Sequence, residues 1–476
     1  MSMHVDGCQF PCDQQTLTVS FTLQPGETIA IYGPSGSGKS TLFRILAGLS
    51  QEGFLSGTYT INGHTVDKLS ISERASNISL LFQNPDTQFC MHTPREELLF
   101  CLENRAVSPE DMPQRVTEAL SFCDIEALAD QPLRTLSGGQ KQLVALACCL
   151  VMDSSYLLLD EPFANLDEQT RIHLIQKLRL LQRTRNIGIL LIDHQIAYVT
   201  EWVDRWLLID QQFLSVDQGT ILALEASIRQ TLSIPEVPRP VQKKNLSDER
   251  LLIEHLRFPA GTHTISLPTY AFPAGGMIGI VGKSGIGKST FLKVLLQEHP
   301  YEGTVSIDQK PVISTKQAFK QMSWIMQNPQ DQFIAATVAD ELRAGQQEIP
   351  LDTQLAQLDL QGKSQTSPFL LSQGQQRRLA VASFLSRSVP VLLVDEPTYG
   401  QDIKQAWQIM QMLSEKANAG TLVLIVSHDT DLLQAFCSQI IDFNHYLLEE
   451  PYEKTQSNRQ AIRDFSARIG HFFSNK

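Results

Sequence analysis

This sequence lacks long apolar runs and lacks two cysteine pairs at metal-site spacing, and each absence excludes a class of protein. The longest apolar runs, such as 145–152 and 421–426, fall well short of the ~20 residues that a membrane-spanning helix needs. The eight cysteines include no two pairs at the spacing of a metal site, so we expect free, reduced thiols. The start of the chain, MSMHVDGCQF, lacks the basic residues and apolar stretch of a secretory signal, which predicts a cytosolic chain.

Positive charge is also scarce. Lys and Arg number 39 against 51 Asp and Glu, so the net charge is −12, which disfavours broad attraction to the nucleic-acid backbone. We therefore expect no nucleic-acid partner. The length of 476 residues, with 42% hydrophobic and 19% charged residues, is typical of a globular protein with two domains that have separate cores.

The chain repeats itself at half of its length, with five motifs in the same order in both halves. They are GPSGSGKSTLF (33–43) and GKSGIGKSTFL (282–292), QNPDTQF (83–89) and QNPQDQF (327–333), LSGGQ (136–140) and LSQGQ (371–375), LLLDEP (157–162) and LLVDEP (392–397), and LIDHQ (191–195) and VSHDT (426–430). The serine of the third motif and the aspartate of the fourth are 23 positions apart in each half, Ser137 to Asp160 and Ser372 to Asp395. This shared register predicts two homologous domains.

The stretch between the halves, SIPEVPRPVQKKNLSDE (233–249), has three prolines in a polar sequence, which indicates a semi-extended tether. A tether this short keeps the halves at high effective concentration, so the two domains should pair within one chain. The predicted organisation is a first domain at 1–228, a proline-rich tether at 229–248, a second domain at 249–448 and a polar C-terminal tail at 449–476.

The first repeated motif has the sequence context of a phosphate-binding loop. Apolar residues alternate over 17–23 as in a half-buried strand, a second strand is predicted at 28–32, and apolar residues recur at helical spacing after the loop. In this context backbone N–H groups surround phosphate oxygens at a helix N-terminus.

The loop lysines and hydroxyl residues predict how ATP and Mg²⁺ would be bound. Lys39 and Lys288 should reach the β and γ phosphates, and Ser40 and Ser289 are placed to ligate Mg²⁺. The predicted nucleotide-binding residues of the two loops are Gly33, Pro34, Ser35, Gly36, Ser37, Gly38, Lys39, Ser40 and Thr41, and Gly282, Lys283, Ser284, Gly285, Ile286, Gly287, Lys288, Ser289 and Thr290.

The LLLDEP and LLVDEP motifs, called the Walker B segments below, are apolar runs that end in Asp-Glu. A buried parallel strand that delivers carboxylates at its C-terminal end has this pattern. We expect Asp160 and Asp395 to hold Mg²⁺. The next residues, Glu161 and Glu396, are candidates to orient and deprotonate the attacking water, since phosphoryl transfer depends mainly on positioning and charge stabilisation.

A histidine follows a further apolar strand in each half, and His194 and His428 would contact the γ-phosphate. Taken alone, an Asp-Glu pair after a strand is more often a strand terminus, and a lone histidine is usually structural. The order and spacing of all the motifs together instead indicate two ATP-hydrolysing sites.

A phenylalanine followed by proline precedes each loop lysine, by 29 residues for Phe10 and 30 residues for Phe258. These rings could stack on adenine. Packing in the core is the alternative, and the sequence leaves both open.

With these motifs in place, the sequence resembles the ATP-binding-cassette (ABC) family over nearly its whole length. The most specific piece is LSGGQ, which with its counterpart LSQGQ is called the signature below. The resemblance implies an α/β fold with two tandem P-loop NTPase (ABC ATPase) domains. Each would have a mainly parallel sheet with flanking helices, an antiparallel β subdomain and a helical signature subdomain.

The resemblance also implies that two ATP molecules bind head to tail, with each signature capping the nucleotide of the opposite domain. The residues that would complete the opposite site are Ser372 and Gly374 for Lys39, and Ser137 and Gly139 for Lys288. The second signature departs from the family pattern, since Gln373 stands where glycine is usual. A side chain there would alter how closely the helix approaches the phosphate, so we predict two unequal but competent sites.

The stretches that follow the second motif look most like those of the energy-coupling factor transporters, which import vitamins and metal ions. They read QNPDTQF followed by HTPREELLFCLEN, and QNPQDQFIAATVADELRAG. By this resemblance Gln83 and Gln327 would bind ATP and Mg²⁺ and link them to a groove that receives helices of a membrane protein. The implied partners are a transmembrane coupling subunit and a substrate-binding membrane subunit, at the cytoplasmic face of the cell membrane.

Two other functions fit a tandem ABC ATPase. A soluble ATPase acting on ribosomes or nucleic acid usually carries a long charged helical linker or zinc modules, and neither is seen in this sequence. The tandem ATPase of a sugar importer commonly has a degenerate second loop, whereas 282–290 is intact here. The leading prediction is therefore the ATP-hydrolysing energy-coupling subunit of an importer.

Overall fold

The structure is a computed structural model that describes residues 2–12, 15–50, 53–163, 166–210, 212–232, 249–261, 263–344 and 350–448. The chain divides into two compact units. The first comprises Met1–Glu236 with Ser372–Gly374 and Thr398–Gln408, and the second comprises the remaining segments. Residues 233–248 of the predicted tether and the predicted tail at 449–476 lie outside the described residues.

The first half contains ten strands and seven α-helices within its described residues. The strands are β1 (Met3–Cys12), β2 (Gln15–Leu23), β3 (Thr28–Tyr32), β4 (Ser56–Ile61), β5 (His64–Thr65), β6 (Ile78–Leu81), β7 (Tyr156–Asp160), β8 (Gly188–Ile192), β9 (Arg205–Asp210) and β10 (Gln212–Val216). The helices are α1 (Lys39–Leu46), α2 (Ile71–Asn77), α3 (Pro94–Asn104), α4 (Met112–Phe122), α5 (Gly138–Val151), α6 (Glu168–Arg185) and α7 (Gln218–Thr231).

A parallel core of five strands carries the predicted site segments of the first half. The strand order is β6–β7–β8–β3–β9, and all neighbouring pairs in it are parallel. Strands β7 and β8 are buried over their whole length and consist mainly of Leu and Ile, as expected for parallel strands covered on both faces. Strand β10 then joins this core to the antiparallel layer β2–β1–β4–β5, which gives one ten-stranded sheet.

The second half contains eleven strands and seven α-helices within its described residues. The strands are β11 (Glu249–Ala260), β12 (His263–Leu267), β13 (Tyr270–Pro273), β14 (Met277–Val281), β15 (Glu302–Ile307), β16 (Lys310–Pro311), β17 (Met322–Ile325), β18 (Val391–Asp395), β19 (Leu422–Val426), β20 (Gln439–Asp442) and β21 (Leu447–Leu448). The helices are α8 (Lys288–Leu295), α9 (Thr315–Gln321), α10 (Val338–Arg343), α11 (Leu351–Gln357), α12 (Gln373–Leu385), α13 (Ile403–Asn418) and α14 (Thr430–Phe436).

The parallel core of the second half has the order β17–β18–β19–β14–β20, which matches the order of the equivalent strands in the first half. Its antiparallel strands form a separate six-stranded sheet, β16–β15–β11–β12–β21 with β13 paired to β11. The sequence repeat is therefore a repeat of topology as well.

Each half also has a helical segment between its second and third motifs. In the first half α3, α4 and α5 pack around one apolar core that includes Leu98, Val116 and Leu146. In the second half Val338, Leu355 and other apolar residues of α10 and α11 share a core with α12. The predicted α/β fold, with parallel sheets, flanking helices, antiparallel layers and helical segments, is confirmed.

The boundary of the first predicted domain falls inside a helix. Helix α7 extends to Thr231, three residues beyond the predicted end at 228. Its N-cap Asp217 accepts a hydrogen bond from the Thr220 N–H at 2.7 Å, which fixes the start of the helix.

Candidate active sites

Each predicted phosphate-binding loop connects a parallel strand to a helix. The loop 33–38 links β3 to α1, and the loop 282–287 links β14 to α8. Lys39 is 6% exposed, and its Nζ donates to two carbonyls of its loop at 2.7 Å. Lys288 is equally buried and donates to two carbonyls of its own loop at 2.7 and 3.1 Å. Both ammonium groups thus lie inside loops whose N–H groups can surround phosphate.

The last glycine of each loop cannot be replaced without strain. Gly38 has a φ of +91°, and a Cβ there would lie 2.8 Å from Leu17 Cδ1. Gly287 has a φ of +113°, and a Cβ there would lie 2.6 Å from the Cβ of Ala260. The close approach of strand and loop therefore requires glycine at both positions.

The Walker B aspartates lie beside the loop serines. The Asp160 carboxylate accepts a hydrogen bond from the Ser40 hydroxyl, and Asp395 accepts one from Ser289. Burial, with a contribution from the adjacent glutamate, raises the pKa of Asp160 to about 7 and that of Asp395 to about 6. Within the described ranges, the Oδ1 atom of each aspartate is buried without a hydrogen-bond partner.

This donor set fits Mg²⁺. Among the described residues, no cluster of three or more His, Cys, Asp or Glu side chains forms a metal site built from protein ligands alone. One carboxylate and one hydroxyl per site are what Mg²⁺ requires when phosphate oxygens and water supply its remaining ligands. Asp160 with Ser40, and Asp395 with Ser289, are therefore suitable ligands.

Glu161 is held by two predicted site residues of the same half. The Gln83 amide Nε2 donates to its Oε1 at 2.7 Å, and His194 Nε2 lies 3.2 Å from the same oxygen. Burial acts to raise the pKa of Glu161, but His194, Gln83 and Lys39 together hold it below its usual value. The structure thus brings these residues together as a candidate base and its supports.

Glu396 is contacted by His428, the histidine of its own half. His428 Nε2 lies 3.5 Å from its Oε1, and the His428 N–H donates to its Oε2 at 3.3 Å. Burial raises the pKa of Glu396 to about 7, although Lys288 acts in the opposite direction. Gln327 follows β17 by two residues, as Gln83 follows β6, so the second site has the same parts in a different electrostatic setting.

Sequence reasoning missed the residue that supports each glutamate from its backbone. Gln142 is fully buried, and its Nε2 donates to the Glu161 carbonyl at 3.2 Å. At the equivalent position Arg377 is 5% exposed, and its Nη1 donates to the Glu396 carbonyl at 2.8 Å. Both stand five residues after the signature serine, so alignment of the two halves would have paired them.

A second pair of missed residues shapes the segments after Gln83 and Gln327. The buried Glu97 carboxylate accepts from the backbone N–H groups of residues 90 and 91 at 2.9 and 2.7 Å. Glu341 does the same for residues 334 and 335, at 3.0 and 2.9 Å. Each carboxylate therefore fixes the loop that precedes its own helix, α3 or α10.

The signature serine of the first half begins a helix. The Ser137 Oγ accepts from the Gln140 N–H at 3.3 Å, and the Gln140 side chain accepts from the Ser137 N–H at 2.9 Å. This capping box starts α5. In the second half α12 begins at Gln373, the residue that replaces the usual glycine. The roles of Ser137, Gly139, Ser372 and Gly374 in binding nucleotide stay predictions.

The two phenylalanines lie in the core and not at a nucleotide site. Phe10 and Phe258 are 0% exposed. The Phe10 ring packs against Phe54 and Phe213, and the Phe258 ring stacks on Phe291, each at a centroid distance of 6.2 Å. The structure therefore agrees with core packing and offers adenine no free ring face.

The strand residue next to each loop lies two positions later than the phenylalanine. Cys12 Sγ approaches the Gly36 carbonyl at 3.8 Å, and Ala260 lies against Gly287. Side chains two apart in a strand share one face, so the phenylalanine and the smaller residue lie on the same side of the strand, and Ala260 is nearer to Gly287 than Phe258 is.

Each half therefore combines a loop lysine, a serine beside an aspartate, a glutamate and a histidine at the C-terminal ends of parallel strands. This set defines a tandem P-loop ATPase.

The chain belongs to the ABC transporter family, whose model matches residues 17–164 and 268–399. It is an ATP-binding protein and an ATPase of that family. It is 33% identical over 467 residues to YkoD of Bacillus subtilis, whose name assigns it to HMP/thiamine import, and the match covers 89% of this chain and 85% of that protein. It is 30% identical over 482 residues to an ABC transporter ATP-binding protein of Streptococcus agalactiae, with 90% and 86% covered.

A solved structure of the RNase-L Inhibitor has the same tandem fold. The TM-score is 0.61 at 20% sequence identity, and the match covers 92% of this chain and 87% of that chain. At this level of identity the likeness shows the fold alone.

Proposed function

We propose that this chain is the energising ATPase of an energy-coupling factor importer that carries a vitamin or a metal ion. The observation that supports the proposal is the presence in one chain of two candidate sets of site residues, each followed by a loop fixed by a buried glutamate. The likeness to YkoD, named for HMP/thiamine import, supports a vitamin as the substrate class.

The residues would share the work of hydrolysis as follows. Lys39 and the loop N–H groups would bind and neutralise the ATP phosphates. Ser40 and Asp160 would hold Mg²⁺, which supplies charge stabilisation at the phosphates when bound. Glu161 would accept a proton from the attacking water, and His194 would contact the γ-phosphate.

The second half would repeat this chemistry with Lys288, Ser289, Asp395, Glu396 and His428. Binding of ATP would close the two domains and hydrolysis would reopen them, which is the motion that a transmembrane partner would receive.

The link to a membrane partner would run through the segments after Gln83 and Gln327. Gln83 contacts the catalytic glutamate on one side, while Met91 and Ile334 at the far ends of these segments are 38% and 76% exposed. Among the described residues, no helix combines the length and apolar character needed to cross a bilayer, so the proposal requires separate membrane subunits.

Affinity purification tests this function. The tagged full chain would be extracted from membranes in mild detergent, and co-purifying proteins identified by mass spectrometry. We expect small multi-spanning proteins in stoichiometric amounts. Ribosomal proteins or nucleic acid in their place would overturn the importer and favour a soluble ATPase.

A surface variant sharpens the same test. Met91→Asp with Ile334→Asp should abolish co-purification of membrane proteins while ATP turnover by the purified chain persists. Leu180→Asp, on α6 and 64% exposed, is the matched control and should keep the partners. Loss of partners in the control, or their retention in the double variant, would contradict the proposed docking segments.

A further inference from the structure

Arg171 is a buried cation that the mechanism above does not use. It lies on α6 and is 5% exposed, although arginine is almost never buried unless it is paired. Its Nη2 donates to the carbonyl of Phe163 at 3.3 Å and to that of Leu166 at 3.2 Å. Phe163 stands two residues after Glu161, so one side of the guanidinium holds the chain that leaves the Walker B segment.

The other side of the guanidinium reaches the loop that carries His194. Arg171 Nη1 donates to the side chain of Gln195, whose N–H donates to Asp193 Oδ1 at 2.7 Å. Burial raises the pKa of Asp193 to about 6, and the charge of Arg171 acts against that rise. One planar group thus contacts both loops that flank the candidate catalytic centre.

An aromatic ring completes this environment. The Arg171 guanidinium lies over the Tyr198 ring at 4.8 Å, and the Tyr198 hydroxyl donates to Glu168 at 3.2 Å. The Tyr198 ring, itself held by Glu168, limits the rotamers of Arg171. Because the guanidinium is planar and its N–H groups have fixed directions, it loses little entropy for each hydrogen bond that it forms.

The second half has no arginine at this position. Arg171 stands eleven residues after Asp160, and the residue eleven after Asp395 is Ala406. The loop around His428 is built differently, because Asp429 caps α14 through the Leu432 N–H at 3.0 Å. The link between the two loops through an arginine at this position therefore belongs to the first half.

We propose that Arg171 is a positioning residue of the first site, which ties the carbonyls of Phe163 and Leu166 to the loop that carries His194 and so fixes the separation of Glu161 and His194. The inference rests on the proposed function, in which those two residues act on ATP. A displacement of about 1 Å at such groups costs up to ~100-fold in rate, so a single clamp has a measurable effect.

The test uses the full chain in two backgrounds. Glu396→Gln leaves the first site to work, and Glu161→Gln leaves the second. Arg171→Met is expected to lower kcat roughly ten-fold in the Glu396→Gln background with little change in KM for ATP, because the phosphate loop is untouched. In the Glu161→Gln background kcat should change less than about two-fold.

Two further variants separate positioning from stability. Arg171→Lys keeps the charge beside Asp193 but cannot reach both loops, so it should fold normally and still show most of the fall in kcat expected for Arg171→Met. Arg183→Met removes an exposed arginine from the same helix and should leave kcat unchanged. Thermal unfolding of every variant is measured beside its turnover.

The outcomes are distinct. Equal losses of kcat in both backgrounds, or full activity of Arg171→Lys, would overturn the positioning role. If Arg171→Met does not fold, the kcat of Arg171→Lys decides alone. If the Glu161→Gln, Glu396→Gln double variant keeps wild-type turnover, the proposed catalytic site itself fails, whatever Arg171 does.

Discussion

Glu161 and Glu396 share an unusual backbone conformation but differ in the pKa of their carboxyl groups. Their φ angles are +52° and +50°, in the left-handed region that residues other than glycine rarely adopt. Such strain costs of order 1–3 kcal/mol per residue and is concentrated at functional sites. Burial raises the pKa of Glu396 to about 7, whereas His194 and Gln83 help to hold the pKa of Glu161 below its usual value.

The first prediction follows from this difference. Glu161→Gln should remove a larger share of ATP turnover than Glu396→Gln, because Glu161 is held ionised whereas Glu396, with a pKa of about 7, is partly protonated at neutral pH and then cannot accept a proton. The double variant should retain less than roughly 1% of wild-type turnover, the range expected when a general base is lost. Phosphate release at saturating MgATP measures all three, and equal losses in the single variants would contradict the prediction.

Gly38 gives the second prediction. Gly38→Ala should sharply weaken ATP binding, because the new Cβ meets Leu17 at 2.8 Å in addition to the strain of a positive φ. Gly63→Ala is the control, since Gly63 also has a positive φ of +83° but nothing within 4 Å of its Cβ position. Equilibrium binding of a fluorescent ATP analogue compares the two. Equal affinities would show that the close approach is unimportant.

At the level of helices and strands, the sequence predicted where the elements lie better than it predicted which side chains contact one another. Alternation over 17–23 and the run at 28–32 correspond to β2 and β3, and α1 starts at the predicted loop lysine. These features depend on neighbours in the sequence. The glycine-rich loops and Walker B segments were therefore found from spacing alone.

Contacts between distant elements were not predictable in the same way. A register shift between Val5 and Cys8 in β1 sets which residues of that strand lie beneath the loop; Gly7, with a φ of +56°, marks the irregularity in the sequence but not the register that results. The roles of Glu97 and Arg171 depend on loops several or many residues away meeting one side chain. From sequence alone, a charged residue in an amphipathic helix is predicted to lie on the solvent-exposed face, and only the tertiary structure shows that it is buried.

The capping box of α5 allows a prediction about one element. Ser137→Ala should lower the free energy of unfolding by about 1 kcal/mol, since it removes an N-cap acceptor. Ser70→Ala removes the same kind of acceptor, from the capping box of α2, and should cost a similar amount.

Activity separates the two serines. If Ser137 also contacts nucleotide, as the family resemblance implies, only Ser137→Ala should lower ATP turnover. Urea unfolding and phosphate release are measured on both variants. A similar fall in turnover for Ser70→Ala would show that helix stability alone explains the effect.

At the scale of the whole molecule, the two halves have the same order of parallel strands but different residues around their candidate sites. When the two halves are aligned, Gln142 is equivalent to Arg377 and Arg171 is equivalent to Ala406. The parallel cores repeat, while the antiparallel strands are continuous with the core in one half and separate in the other. The duplication has thus kept the phosphate-binding scaffold and varied what surrounds it.

The implied pairing of signatures with opposite sites gives a prediction at this scale. Ser372→Glu should lower turnover strongly in the Glu396→Gln background, where only the Lys39 site works, because a carboxylate would repel the γ-phosphate. The same change should be tolerated in the Glu161→Gln background. Ser137→Glu is the reciprocal variant with the opposite pattern, and loss in the same background for both would contradict the pairing.

The left-handed glutamates have a consequence for anyone who evolves or engineers this protein. Glycine and asparagine adopt positive φ at lower cost than glutamate, so both substitutions at 161 or 396 relieve strain. A library selected for thermal stability alone would accumulate such changes, and its stable variants would have lost ATP turnover if these glutamates activate water as proposed. Selection for durability therefore has to be run with turnover scored on every surviving clone.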